Sequence, residues 1–238
     1  MLSDKEFLGL LEGKDYRMEE GIVKCKVNNC PEYDLNRECY NSIAKKFKDF
    51  WEKTERWQVK ERQKFVQYLP PKALVLDLGC GQGRDLETFF GLGIDNIVGV
   101  DFSIGQLKIS QSRNVARLVN SNFLNMPFRD NIFNGVWSCV TLVHLSPLDV
   151  SRVLGKVNKM LKKGGIFFIS MQEGTGYKIV KREVYDSIPM IMYYYTPKSV
   201  KEMLEKGGFE ILDFEKFHVW KGIKDRERRF FNYYCKKI

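Results

Sequence analysis

The sequence predicts an α/β fold, a doubly wound and mostly parallel sheet of seven strands with one antiparallel strand. Three observations predict it. From about residue 73 onward, short apolar runs alternate with helical stretches, the pattern of repeated strand–helix units that builds a parallel sheet. The run Val75-Leu76-Asp77-Leu78 breaks into Gly79, Gly81 and Gly83 before a helical stretch opens at Arg84. Strand-to-helix turns of this kind are where open α/β sheets bind ligands. The chain then closes with two strand-like segments joined by Lys221-Gly222, a link short enough to make them antiparallel neighbours.

With 238 residues and 44% hydrophobic content, the chain fits one such domain with an N-terminal extension and can fill a core. Residues 1 to about 38 are irregular in hydrophobic pattern and carry a turn signal at Asn28-Asn29-Cys30-Pro31. From Tyr40, Ile43, Phe47, Phe50 and Trp51 recur at helical spacing. Trp57, Phe65 and Tyr68-Leu69 predict a second helix that ends before Pro70-Pro71. Residues 1–69 are therefore expected to form an extension and helical cap over the ligand cleft, and residues 70–238 the core.

Within the core, strand one is expected at Ala73 to Leu78 and its helix at Arg84 to Phe90. Strand two is Asn96 to Val100, followed by a helix from Ile104 to Ser112. A weak strand three covers Ala116 to Val119, and strand four Gly135 to Cys139. A helix from Leu148 to Leu161 should end on Lys162-Lys163-Gly164-Gly165, a cationic last turn with a glycine stop. Strand five, Ile166 to Met171, is apolar throughout, as a central parallel strand is. A lid is expected at about 173–197, then a helix from Pro197 to Leu204 stopped by Gly207-Gly208. Phe209 to Val219 and Arg229 to Cys235 are the closing pair of strands.

Composition sets limits on function. No apolar run approaches the ~20 residues that span a bilayer, and Met1-Leu2-Ser3-Asp4-Lys5-Glu6 mixes charges too early for a signal peptide. The six cysteines are scattered, which suits a reducing cytoplasm. Cys25, Cys30 and Cys39 match no common zinc spacing and neither histidine lies near them, so no metal site is expected. The net charge of +9 permits contact with RNA or acidic surfaces without demanding it. Its lysines and arginines are spread along the chain, with concentrations at Lys178 to Arg182 and Arg226 to Arg229.

The chemistry turns on Asp77. A phosphate-binding turn holds negative charge on backbone N–H groups at a helix N-terminus, and a carboxylate at its base repels a pyrophosphate. It suits a cationic amino group. The dinucleotide pattern G-x-G-x-x-G fails on spacing, since its third glycine would fall at Arg84 or Leu86, and no G-K-[S/T] occurs. Asp77-Leu78-Gly79-Cys80-Gly81-Gln82-Gly83 at the end of an apolar strand resembles the first motif of the class I S-adenosylmethionine-dependent methyltransferases, of the small single-domain type. Residues Met126-Pro127-Phe128 to Trp137 also resemble a segment of that family, with Asn134 where Asp is usual. The resemblance runs from about Tyr40 to the C-terminus and implies a Rossmann-like methyltransferase fold.

It also implies a site. The cofactor, S-adenosyl-L-methionine, would meet Asp77, Gly79, Cys80, Gly81 and Gly83 with its amino acid end. Asp101 closes strand two about 20 positions after the turn, where an acidic residue takes two ribose hydroxyls; a helix N-terminal acid before Ser103 is the plainer alternative. Phe102 would pack on adenine beside Asn122 and Phe123, with Asn122 standing where many relatives have Asp. Tyr40 and Ser138 complete the cofactor set. His144 follows strand four beside the expected sulfonium and is a candidate general base, or a pocket wall that moves no protons. Tyr177, Tyr193, Tyr194 and Tyr195 bracket the lid and are the candidates for substrate contact, although aromatic clusters also serve as packing. His218 is read as structural.

The function this implies is transfer of a methyl group to a small-molecule acceptor, with proximity and alignment supplying most of the rate. Two alternatives stay open: an RNA methyltransferase acting for example on tRNA, and a non-catalytic cofactor-binding partner subunit.

Overall fold

Alternating strands and helices organise the structure, a computed structural model that describes residues 1–13, 15–25, 31–52, 58–181, 186–219 and 228–238. Helix α1 (Asp4–Gly9) opens on a capping box in which Ser3 and Glu6 satisfy each other's backbone N–H groups. A hairpin of β1 (Tyr16–Glu19) and β2 (Ile22–Cys25) follows, then α2 (Pro31–Ser42), α3 (Ala44–Glu52) and α4 (Val59–Gln67). The core alternates β3 (Leu74–Leu78), α5 (Arg84–Gly91), β4 (Asn96–Asp101), α6 (Ile104–Gln111) and β5 (Arg117–Asn120). It continues through β6 (Phe133–Cys139), α7 (Pro147–Met160) and β7 (Leu161–Gln172). The small hairpin β8 (Tyr177–Val180) and β9 (Met190–Tyr193) precedes α8 (Pro197–Lys206), β10 (Phe209–Val219) and β11 (Arg228–Lys237). Ser103, Ser146 and Thr196 cap α6, α7 and α8, and Pro147 and Pro197 open the last two at the position where a missing N–H costs nothing.

The main sheet has nine strands in the order β1-β2-β5-β4-β3-β6-β7-β11-β10, which corrects the expectation of seven. Strands β2, β5, β4, β3, β6 and β7 pair in parallel, and β11 runs antiparallel between β7 and β10. Strand β1 is antiparallel too, so the expected single antiparallel strand becomes two. The addition comes from the segment read as irregular: Ile22, Val23 and Lys24 pair with Leu118, Val119 and Asn120 of β5. Four-residue strands are too short to show a period in sequence.

Two further differences are local. Helix α2 begins at Pro31, so Tyr40 sits in its last turn rather than at a helix start. Lys162 to Gly165 belong to β7 rather than to a helix end: α7 stops at Met160, and the register jumps from Phe133↔Leu161 to Gly135↔Ile166. The four residues form a bulge, with Gly164 at φ +73°. Trp57, Cys30, Arg182, Arg226 and Lys221-Gly222 lie outside the described residues.

Both faces of the parallel strands are covered, which is why their middles are mainly apolar. On the α4–α5 side Trp137 stacks on Phe168 at 3.7 Å and meets Phe65 and Phe89 edge-on, each at 5.3 Å. No helix among the described residues is long and apolar enough to cross a membrane. The strand order reverses at β3, which lies between β4 and β6. The crevice at the carboxyl ends of these strands is where this architecture leaves room for a ligand.

Candidate active site

A cavity of about 1190 Å³, counted out to its open mouth, occupies that crevice. Its floor is the turn after β3. Gly79 has φ +82°, and a Cβ there would lie 2.1 Å from Cγ2 of Thr141, so the approach of the chain after β6 requires glycine. Gly81, at φ +51°, has Gln106 Oε1 at 3.9 Å as the nearest atom to a Cβ, so its face is open to a ligand. The N–H groups of Gly79 and Cys80 donate to Val100 O at 2.8 and 3.1 Å, tying the turn to β4.

Three carboxyl groups line the cavity and differ in their surroundings. Asp77 is 2% exposed, and its Oδ2 has no hydrogen-bond partner among the described residues. Burial first, then the charges of Asp85 and Asp101, push its pKa well above the carboxylate range. Burial also acts upward on Asp85, but the Arg62 and Arg84 guanidinium groups outweigh it, with hydrogen bonds from Trp137 and Arg62, and hold it at about 2. Arg62 Nη2 donates to Asp85 Oδ1 at 2.8 Å and Trp137 Nε1 to Oδ2 at 2.7 Å. Asp101 is raised to about 6 by burial, against the backbone N–H groups of Ser103 and Gly81, which donate to it at 2.8 and 2.9 Å. Asp77 Oδ2 is one of eight buried side-chain polar atoms without a partner among the described residues, and the one carboxylate oxygen among them. A cationic N–H donor reaching the Asp77 carboxyl would offset that burial penalty.

An aromatic wall stands beside Asp101. Phe102 and Phe123 both line the cavity with ring centroids 5.7 Å apart, and the Tyr40 ring lies 6.2 Å from Phe102. Tyr40 reaches the cavity from α2, and its hydroxyl lies 2.9 Å from His144 Nε2. His144 Nδ1 is 3.2 Å from Ile191 O. A carbonyl only accepts, so Nδ1 carries a proton, and in the neutral imidazole Nε2 accepts from the Tyr40 hydroxyl.

Asp77, Gly79, Cys80, Gly81, Asp101, Phe102, Phe123, Tyr40 and His144 are thus brought to one cavity. Others named from the sequence are not. Gly83 lies at the N-cap of α5, at φ +83°. Asn122 Oδ1 caps the following turn by accepting from Leu124 N at 2.9 Å. Ser138 is fully buried and points to the other face of β6 from Cys139, which does line the cavity. None of the four lid tyrosines lines it. Tyr177 is 64% exposed and packs on Tyr193, Tyr194 lies beside Lys178, and buried Tyr195 donates to Leu145 O.

The lid contributes Met190 and Met192 instead, the alternate residues of β9. Gln82, Gln106, Thr141, Val143, Gln172, Arg228 and Phe230 also line the cavity and went unread in the sequence. Met190-Ile191-Met192-Tyr193 is apolar at every position, so only the alternation of the folded strand separates the methionines from their neighbours. Gln172 and Phe230 face each other across β7 and β11, a pairing that only the register reveals.

Comparison with known proteins agrees with this architecture. Residues 76–169 match the family model described as a methyltransferase domain. The structure superposes on the Burkholderia thailandensis 1,6-didemethyltoxoflavin-N1-methyltransferase, solved with 1,6-didemethyltoxoflavin and S-adenosylhomocysteine. The TM-score is 0.66 at 19% identity, covering 90% of this chain and 93% of that one. This is the class I S-adenosylmethionine-dependent methyltransferase fold. An uncharacterised protein of Methanocaldococcus jannaschii is 25% identical over 74% of this chain and 76% of its own length. The sterol 24-C-methyltransferase of Schizosaccharomyces pombe is 29% identical over 61% of this chain and 42% of its own length. The chain spans less than half the length of the sterol methyltransferases it matches.

Proposed function

We propose that this methyltransferase-fold protein is an enzyme that transfers a methyl group from S-adenosyl-L-methionine to a small-molecule acceptor. One observation carries the reading: the buried Asp77 carboxyl, whose Oδ2 has no partner among the described residues, at the base of a glycine turn whose open face lies at Gly81. Asp77 would hold the cofactor's ammonium, Asp101 its ribose hydroxyls, and Phe102 and Phe123 its adenine. When bound, the cofactor supplies a methyl group on a sulfonium, already activated for in-line displacement. The acceptor space then lies between Met190, Met192, Val143 and Phe230, with Gln172 and the Tyr40–His144 pair as its polar groups. His144 Nε2 is placed to receive, through the Tyr40 hydroxyl, the proton that a hydroxyl or N–H acceptor loses on methylation.

Two relatives named for small-molecule acceptors, a sterol and 1,6-didemethyltoxoflavin, support a small-molecule substrate here. The free thiols of the described cysteines suit the reducing cytoplasm in which we place the protein. Cofactor turnover measured against pools of small molecules, transfer RNA and ribosomal RNA fragments tests the proposal. Methyl incorporation into a small-molecule pool is expected. Incorporation into RNA, with steeply salt-dependent binding, would replace the acceptor class. Cofactor binding without turnover on any pool would make the protein a non-catalytic subunit.

A further inference from the structure

Among the described residues no further strand pairs with the outer edge of β9, and the side chain of Asn36 in α2 meets it instead. Asn36, fully buried, accepts from Ile191 N at 2.7 Å and donates from Nδ2 to Ile191 O at 3.0 Å. A side-chain amide thereby does for Ile191 what a neighbouring strand would do, satisfying both backbone groups of a half-buried residue. The same Ile191 carbonyl accepts the His144 Nδ1 proton at 3.2 Å. At the far end of α2, Asn41 Oδ1 accepts from Ser103 Oγ at 2.8 Å and Gly105 N at 2.9 Å, next to Asp101.

We propose that Asn36 is a positioning residue of the active site, acting on it through Ile191. Its role in the reaction rests on the reading of Tyr40 and His144 as the proton-accepting pair. By holding Ile191, it keeps a carbonyl oxygen against His144 Nδ1 and so keeps the Nε2 lone pair on the side of Tyr40 and the cavity. With that carbonyl displaced, the imidazole loses the acceptor that selects its tautomer. The alternative tautomer presents an N–H to Tyr40 and accepts no proton.

The paired bonds also fix which residues the lid offers. In a strand, a slip of one position exchanges faces. Ile191 and Tyr193 would then take the places of Met190 and Met192, replacing two unbranched, adaptable side chains with a branched one and a phenol. Asn36 thus selects both the proton acceptor and the apolar wall of the acceptor space, from a helix that also braces the Asp101 loop.

The chain has two histidines, so nitrogen-15 labelling of histidine yields two pairs of imidazole signals, and His144→Gln assigns them. In the wild-type protein the His144 signals should show a protonated Nδ1 and an unprotonated Nε2 near neutral pH. In Asn36→Leu, close in size but without hydrogen bonds, the two signals should move toward a common value as the tautomers mix. Asn36→Asp keeps the acceptor for Ile191 N but sets an oxygen against Ile191 O in place of the Nδ2 donor, so it too should mix the tautomers. A wild-type imidazole protonated at Nε2, or a folded Asn36→Leu protein with an unchanged tautomer, would overturn the proposal. Should Asn36→Leu fail to fold, a single wild-type tautomer retained in Asn36→Asp would overturn it as well. The measurement needs neither cofactor nor acceptor. Titration of the wild type with S-adenosylhomocysteine separates the two readings, because absent binding there removes the proposed function and leaves the tautomer result standing.

Discussion

Two residues of the glycine turn have the same conformational demand and different neighbours, and they should respond differently to substitution. Gly79→Ala places a Cβ 2.1 Å from Thr141 Cγ2 at φ +82°, so the turn or the Thr141 segment must move. Loss of fold stability should dominate, visible as a lower urea midpoint. Gly81→Ala meets nothing nearer than 3.9 Å, so its fold cost should stay near the ~1 kcal/mol of a positive φ. Its effect should instead fall on S-adenosylhomocysteine affinity, which calorimetry on the folded variant reads. Asp101 allows a test of sign. Burial raises its pKa to about 6 from 3.8, so its contribution to apoprotein stability is present at low pH and lost as pH rises through about 6. Ribose hydroxyls donate to the ionised form. Binding of S-adenosylhomocysteine should therefore weaken as pH falls below about 6, with proton release on binding detectable in buffers of different ionisation enthalpy. Asp101→Ala should cost about 1–3 kcal/mol of affinity and remove Asp101's share of the pH dependence. Unchanged affinity would take Asp101 out of the site.

Helices α2 and α4 reach the cleft by different contacts, and both should be quieted by ligand. Asn41 of α2 bonds the loop after Asp101, and Arg62 of α4 pairs with Asp85 beneath the cavity. Added S-adenosylhomocysteine should slow hydrogen exchange in the last turn of α2 and in α4, and leave α1 unchanged. Equal exchange with and without ligand would mean that these helices brace the fold without closing on the cleft. At this scale the core was largely legible in the sequence. Buried parallel strands are mainly apolar, and Gly79, Ser103, Ser146 and Pro197 mark where each unit turns, so β3 to β7 and α5 to α8 fall within a few residues of expectation. Asn134, which stands where Asp is usual in the family segment, accepts from Leu74 N at 3.0 Å and ties β6 to the start of β3. What escaped was set by contacts distant in sequence. Asn36 meets Ile191, Tyr40 meets His144, and the pairing of β7 with β11 brings Phe230 to Gln172. The lid tyrosines were conspicuous as a cluster, but the alternation of β9 turns its methionines inward and leaves Tyr193 to pack on Tyr177.

The whole molecule is a wider sheet than its core units require, because the N-terminal segment is built into it. Phe7, Leu11, Ile22 and Val23 are each at most 3% exposed. Leu11 bridges to Phe128, and the Arg117 guanidinium donates to Leu2 O at 2.7 and 2.9 Å. An appended extension would be dispensable. This one covers the edge of β5, which without β2 presents unpaired N–H and C=O groups beside a fresh apolar surface. Four buried side chains at about 1.5–3 kcal/mol each sum to an upper bound of roughly 6–12 kcal/mol. That is the scale of a whole domain's stability, about 5–15 kcal/mol. A chain reduced to residues 26–238 keeps every cavity-lining side chain and still should not hold the site. It should unfold at a much lower urea concentration or associate through the bared β5 edge, and lose S-adenosylhomocysteine binding with the fold. Urea titration followed by circular dichroism, with size-exclusion chromatography of the same sample, measures both outcomes. A monomeric truncated chain that unfolds at the wild-type midpoint would show instead that the seven strands β5 to β10 in the sheet order are self-sufficient, and that the hairpin only decorates them.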